Sequence, residues 1–113
     1  MLILSNPIDN VELSQMAENF FGDMVKGVAD IDRGIIALDA ELHADLEALL
    51  LEDGSSQKSL WGFNLYPDQE AEDFIEYDSL INIRPSLGNR SRSIDDFGIQ
   101  EKVKETILKW VNR

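Results

Sequence analysis

The sequence contains no cysteine, and its 113 residues include only one histidine. The absence of cysteine excludes a disulfide scaffold, a thiolate nucleophile and any cysteine-based zinc or iron–sulfur site. A single histidine likewise excludes a multi-histidine metal centre. No apolar run approaches the ~20 residues that span a membrane. The first residues, Met1–Pro7, lack the basic region and long apolar run of a secretory signal, so we expect a cytoplasmic protein.

Positive charge is also scarce, since 10 lysines and arginines face 22 aspartates and glutamates and the net charge is −12. Broad DNA binding is therefore not expected, because it depends on neutralising phosphates with basic side chains. No lysine or arginine occurs from Ser59 to Ile83, while six acids lie between Asp68 and Asp78. This acidic run lacks the ligand spacing of an EF-hand, and we interpret it as a solvated loop and strand face.

The remaining composition is typical of a small globular protein. With 113 residues the chain is too short for two ordinary cores. Neither a linker nor an internal repeat interrupts it. The sequence therefore predicts a single domain over residues 1–113.

Apolar residues at helical spacing predict a helix at each end of the chain. The first runs from Asp9, its expected N-cap, to Phe21. The second covers about Phe97 to Asn112 and is capped by Asp95 or Asp96. Both have one apolar face, so we expect them to pack on the same face of a sheet.

About five mostly antiparallel strands are predicted between these helices, which gives an α+β fold. Segment 39–53 is ambiguous, because its leucines fit a helical stripe while its acids and apolar residues also alternate. We predict a hairpin of residues 47–52 with residues 60–66, and leave 39–46 open as strand or helix. Phe74–Arg84 alternates most clearly and is the strongest predicted strand. The other predicted strands are Leu2–Leu4, Met24–Asp30 and Ile35–Leu38.

Two distinctive strings carry a resemblance to a known family. They are Glu-Leu-His-Ala-Asp at 41–45, and Ile-Arg-Pro-Ser at 83–86 continuing to Gly-Asn-Arg-Ser-Arg at 88–92. Together with Gly34–Ala37, Glu47–Ser55 and Leu60–Gly62, these strings resemble a family of small prokaryotic proteins described only as a domain of unknown function. The resemblance covers essentially the whole chain. It implies a family grouping and no catalytic assignment.

The only histidine, His43, lies between Glu41 and Asp45. If this segment is extended, the three side chains share one face and the carboxylates raise the imidazole pKa. His43 would then be a general acid or base with Glu41 or Asp45 as its partner. One histidine and two carboxylates also resemble a facial-triad metal site, but we predict neither a metal nor another cofactor. The alternative is a hydrogen-bonded histidine without a catalytic role.

The second candidate site is an arginine-rich loop, which we predict from Pro85 to Ser93. Arginine binds phosphate and carboxylate groups through its planar fork, while asparagine and serine add neutral donors. The predicted ligand-binding residues are Arg84, Ser86, Asn89, Arg90, Ser91 and Arg92. Alternatively, these arginines pair with acids of the same chain.

Two classes of function follow from these sites. The favoured one is a module that binds a small anion, either phosphate or carboxylate, or an acidic protein partner through the Arg84–Arg92 loop. A homodimer joined by this loop and the Asp68–Asp78 surface is a variant. The alternative is a metal-independent phosphodiesterase or ribonuclease-like enzyme of toxin size, with His43 as acid or base. That alternative requires His43 and the arginine loop to meet in space.

Overall fold

The computed structural model describes residues 1–113 and contains three α-helices and seven strands. The helices are α1 (Asn10–Ala17), α2 (His43–Glu52) and α3 (Phe97–Trp110). The strands are β1 (Leu2–Ile3), β2 (Ile8–Asp9), β3 (Val25–Asp30), β4 (Ile35–Leu38), β5 (Leu60–Leu65), β6 (Ile75–Glu76) and β7 (Val111–Asn112). None of the helices has the length and apolar character needed to cross a membrane.

Five strands form an antiparallel sheet in the order β1-β4-β3-β5-β6. At its centre, Val28 of β3 lies in register with Ala37 of β4 and with Gly62 of β5. Strands β2 and β7 form a separate parallel pair that joins the two ends of the chain. This arrangement confirms the predicted α+β class.

The two faces of the sheet are covered by different helices. Ala29 of β3 belongs to the larger core, which also holds buried side chains of α1 and α3. Its neighbour Val28 points to the opposite face, where it packs with Leu46 and Leu50 of α2. The terminal helices therefore share one face as predicted, and α2 forms a third layer behind the sheet.

The caps of the terminal helices follow the sequence expectation. Asp9 Oδ1 accepts a hydrogen bond from the Glu12 backbone N–H at 2.9 Å, and Asp96 Oδ1 accepts one from Ile99 at 3.0 Å. Each bond satisfies a donor that the first helical turn leaves free. Helix α1 ends at Ala17, earlier than the predicted Phe21, and the turn after it closes at Gly22, whose φ is +84°.

The predicted hairpin of residues 47–52 with 60–66 is wrong. Residues 43–52 form helix α2, and strand β5 pairs with β3 and β6 instead. Leu46 and Leu50 are four residues apart and both fully buried, so the helical leucine stripe decides over the alternating pattern. Gly54, with φ at +104°, follows the end of the helix.

The predicted strand over Phe74–Arg84 is also wrong, since only Ile75–Glu76 pairs with β5. Beyond β6 the edge of β5 bonds to side chains. The amide of Asn82 accepts from the Gly62 N–H at 2.8 Å and donates to the Gly62 carbonyl at 3.0 Å. Its own backbone lies in a 3₁₀ turn, Leu80–Asn82, capped by Ser79. Because the Asn82 side chain satisfies the backbone N–H and carbonyl of Gly62, no further strand is needed to pair with β5 at this position.

Candidate functional site

Asn89 organises the arginine-rich loop from within. Its side chain is 3% exposed. Nδ2 donates to three backbone carbonyls, those of Asn82 at 2.7 Å, Ser91 at 3.1 Å and Ser93 at 2.7 Å. Oδ1 accepts from the Asp95 N–H at 2.8 Å. The structure therefore uses Asn89 to shape the loop, and no polar atom of this side chain is left over for a ligand.

Arg84 is fixed at the base of the same loop. Its Nη2 donates to Glu47 Oε2 at 2.9 Å, and its Nη1 donates to the Leu60 carbonyl. The guanidinium carbon lies 5.4 Å from the centre of the Trp61 ring. Burial lowers the pKa of Arg84, and the Glu47 carboxylate opposes that shift. These contacts hold the guanidinium in one orientation while it remains charged.

Two other predicted loop residues bond to acids of the chain. Arg92 Nε donates to Asp78 Oδ1 at 2.7 Å on the surface, and Ser91 Oγ donates to Asp95 Oδ1 at 2.6 Å. The bond from Ser91 lowers the pKa of Asp95. Arg90 is exposed, and its guanidinium forms neither an ion pair nor a hydrogen bond within the chain. Acids of the chain therefore pair with Arg84 and Arg92, and Arg90 is the loop arginine that stays unpaired.

A cleft of about 340 Å³ opens beside Arg84 and Ser86, which we call the Lys58 cleft. Lys58 lines one side and makes no ion pair. Leu87 also lines this cleft, and Leu87 and Lys58 both line a neighbouring depression of about 290 Å³. Sequence reasoning missed Lys58. The available signal was its position as the last basic residue before the stretch without lysine or arginine.

His43 is the first residue of α2, and its side chain is only 8% exposed. Nε2 lies 2.8 Å from the Phe63 carbonyl, which fits a neutral ring donating to that oxygen. Burial lowers the pKa of His43, and the bond to Phe63 opposes the shift. This corrects the expected rise in pKa. In a helix, residues two apart such as His43 and Asp45 do not face each other, and Glu41 precedes the helix.

Asp78 interacts with one residue of each predicted site. This carboxylate raises the pKa of His43, although by less than burial lowers it, and it pairs with Arg92. Arg84 and Ser86 instead line the Lys58 cleft, where His43 does not appear. The structure shows no group of three or more histidine or carboxylate side chains arranged to hold a metal ion.

A family model described as "Protein of unknown function (DUF5674)" matches residues 2–110. The chain belongs to this family. The match confirms the resemblance of the two sequence strings to a small domain of unknown function. No curated protein and no solved structure matches the chain. DUF5674 membership gives a grouping, so any function of this chain has to be argued from its own side chains.

The lining of the Lys58 cleft in this DUF5674 protein holds two cations and no carboxylate. One of its two cations, Arg84, already pairs with Glu47, whereas Lys58 has no carboxylate partner. The Ser86 hydroxyl adds a neutral donor on the same wall. Leu87 makes part of the wall apolar. Nothing in this lining is a histidine or a carboxylate that could exchange protons with a substrate.

Proposed function

We propose that this protein binds a small anionic ligand, a phosphate or a carboxylate, in the Lys58 cleft. The observation that carries the proposal is the pair of cations on the cleft wall, Lys58 and Arg84, against one internal carboxylate, Glu47. The whole molecule has a net charge of −12, which repels anions at long range. A local excess of positive charge in a concave site is therefore what a ligand of this class requires.

Arg84 supports the proposal because its orientation is set before any ligand arrives. Glu47, the Leu60 carbonyl and the Trp61 ring hold the guanidinium from three directions. Its Nε–H makes no hydrogen bond within the protein and remains available. A donor that is already ordered loses little conformational entropy when it binds.

This proposal keeps only some of the ligand-binding residues that the sequence predicted. Of the six predicted ligand-binding residues, Arg84 and Ser86 line the cleft, and Lys58 joins them. Arg90, with its free guanidinium, remains a candidate for contact with a larger ligand. An acidic protein partner and a homodimer stay predictions, and so does the enzyme alternative based on His43.

The test is a thermal-shift titration with inorganic phosphate and with sulfate against sodium chloride at equal ionic strength. For a dissociation constant of about 1 mM, 10 mM phosphate stabilises the folded state by about 1.4 kcal/mol. For a domain of this size, that is a rise in Tm of about 4–8 °C. We expect the rise in the unmodified protein, a much smaller one in Lys58→Met, and an intermediate one in Ser86→Ala.

Lys102→Met is the matched control, because Lys102 is an exposed lysine on α3 outside the cleft. It removes the same charge and should keep the full phosphate-dependent rise. Arg84 is left unchanged, since its loss would unpair Glu47 and the Leu60 carbonyl. An equal response in Lys58→Met and Lys102→Met, or no phosphate response beyond that of chloride, would contradict the proposal.

A further inference from the structure

A second and larger cavity, of about 500 Å³, lies between α3 and the segment 71–77. Its apolar lining includes Phe74, Ile75 and Leu108. The volume falls within the range of about 300–1,000 Å³ that is typical of small-molecule sites. It shares no lining residue with the Lys58 cleft, so the two sites are independent.

Two side chains of opposite charge, neither of them paired within the chain, line the cavity next to its apolar residues. Glu101 is half-buried, yet it forms neither an ion pair nor a hydrogen bond, and Lys104 is equally unpaired. Three residues apart on α3, they are neighbours on the helix surface at about 5–6 Å between Cβ atoms. Leu108 follows on the same stripe, four residues after Lys104. A carboxylate without a partner in the chain is available to pair with a bound cation.

Tyr77 adds a neutral polar group to the cavity. Burial raises the pKa of its hydroxyl, and the Glu101 carboxylate adds to the rise. The hydroxyl therefore stays protonated at neutral pH and can donate a hydrogen bond. The shift also shows that Tyr77 and Glu101 lie close enough to interact.

We propose that this cavity binds a free α-amino acid with an apolar side chain. The ammonium group would pair with Glu101, and the carboxylate with Lys104 and the Tyr77 hydroxyl. The side chain of the ligand would lie on Ile75 and Leu108, beside the Arg113 guanidinium that stacks on the Phe74 ring. In an α-amino acid the two charges are on adjacent groups, which matches two oppositely charged side chains one helical turn apart.

The balance of charge around the cavity favours this class over a simple acid or amine. The lining holds two carboxylates, Glu72 and Glu101, and two cations, Lys104 and Arg113. A ligand with a single charge would pair with either Glu101 or Lys104 and leave the other without a partner. A zwitterion satisfies both at once.

The experiment compares three probes that share one aromatic body. L-phenylalanine carries both charges, 3-phenylpropionate lacks the ammonium group, and phenethylamine lacks the carboxylate. Thermal shift and ¹⁵N-resolved NMR titrations are run at equal ionic strength on the unmodified protein. We expect phenylalanine to raise Tm in a saturable way and to shift amide signals of α3 and of residues 71–77. We expect the two analogues to bind at least about tenfold more weakly, a factor that corresponds to one lost charge-assisted bond.

Variants of α3 distinguish binding in the cavity from a general effect of removing charge from the helix. Glu101→Gln and Lys104→Met should each lower the affinity for phenylalanine at least about fivefold. The double variant Lys102→Met/Glu105→Gln removes the same two charges from exposed positions outside the cavity and should leave it unchanged. Equal binding of all three probes, equal loss in the control variant, or no saturable response would each overturn the proposal.

Discussion

At the scale of single residues, Asn82 replaces a stretch of strand. Its side chain is fully buried and makes three hydrogen bonds to the backbone, two with Gly62 and one, at 3.0 Å, with the Arg92 carbonyl. It therefore connects the edge of β5 to the arginine-rich loop. Gly62 is itself required here, since a Cβ at that position would lie 2.6 Å from Ser79 Cβ.

Replacing Asn82 by alanine should destabilise the protein by about 3 kcal/mol, because several buried backbone groups lose their partners. Urea denaturation would measure the change as a lower transition midpoint with an unaltered slope. The matched control is Asn6→Ala, at an exposed asparagine, which should stay within about 0.5 kcal/mol of the unmodified protein. A loss below about 1 kcal/mol for Asn82→Ala would mean that the Gly62 groups find other partners.

At the scale of elements, α2 begins without a side-chain cap. Leu42 occupies the N-cap position in an extended conformation, and its side chain is 55% exposed. The other two α-helices use Asp9 and Asp96 in the same role. Leucine is not a capping residue, so the local sequence does not mark Leu42 as the start of α2.

Leu42→Ser should stabilise the protein by about 1 kcal/mol, because the serine hydroxyl can accept a hydrogen bond from the first turn of α2. Chemical denaturation measures this directly. Leu42→Ala is the control, since it removes the same exposed apolar side chain and cannot cap. If the serine and alanine variants have the same stability, the N-terminus of α2 is already satisfied by water.

At the scale of the whole molecule, most carboxylates have no positively charged partner. Only four ion pairs form, one of them through the N-terminal ammonium group, while 22 carboxylate side chains are present. Neighbouring surface charges about 4–10 Å apart repel by several tenths of a kcal/mol to about 1 kcal/mol in water. The net charge of −12 therefore works against the compact state at low ionic strength.

Raising sodium chloride from about 20 mM to 500 mM should increase the free energy of unfolding by on the order of 1 kcal/mol, because salt screens this repulsion. Denaturation midpoints at several salt concentrations give the measurement. The double variant Asp68→Asn/Glu70→Gln removes two charges from the acidic segment and should show a smaller salt dependence. Stability that falls with salt would show that attractive pairs outweigh the repulsion.

Local signals were sufficient for much of the fold. Both terminal helices and strands β3, β4 and β5 lie close to where the apolar patterns predict them. Each of these elements buries one regular face, and that face appears in the sequence as periodically spaced apolar residues. The candidate site was predicted less completely, since Arg84 and Ser86 line the Lys58 cleft whereas Lys58 itself was missed.

The sequence by itself determined the α+β class, the acidic character and the family, because these depend on composition and on local patterns. Over 43–52 the sequence carried both a helical and an alternating pattern, and tertiary structure decided for the helix. Tertiary structure alone decided that 77–84 leaves the sheet. In α2, burial of Leu46 and Leu50 against β3 agrees with the local helical pattern. In 77–84, the edge of β5 takes the side chains of Asn82 and Arg84 as partners, which outweighs the alternating pattern. Tertiary structure also decided the burial of His43 and the pairing of Arg84 with Glu47 and of Arg92 with Asp78, since a charge finds its partner through space and not along the chain.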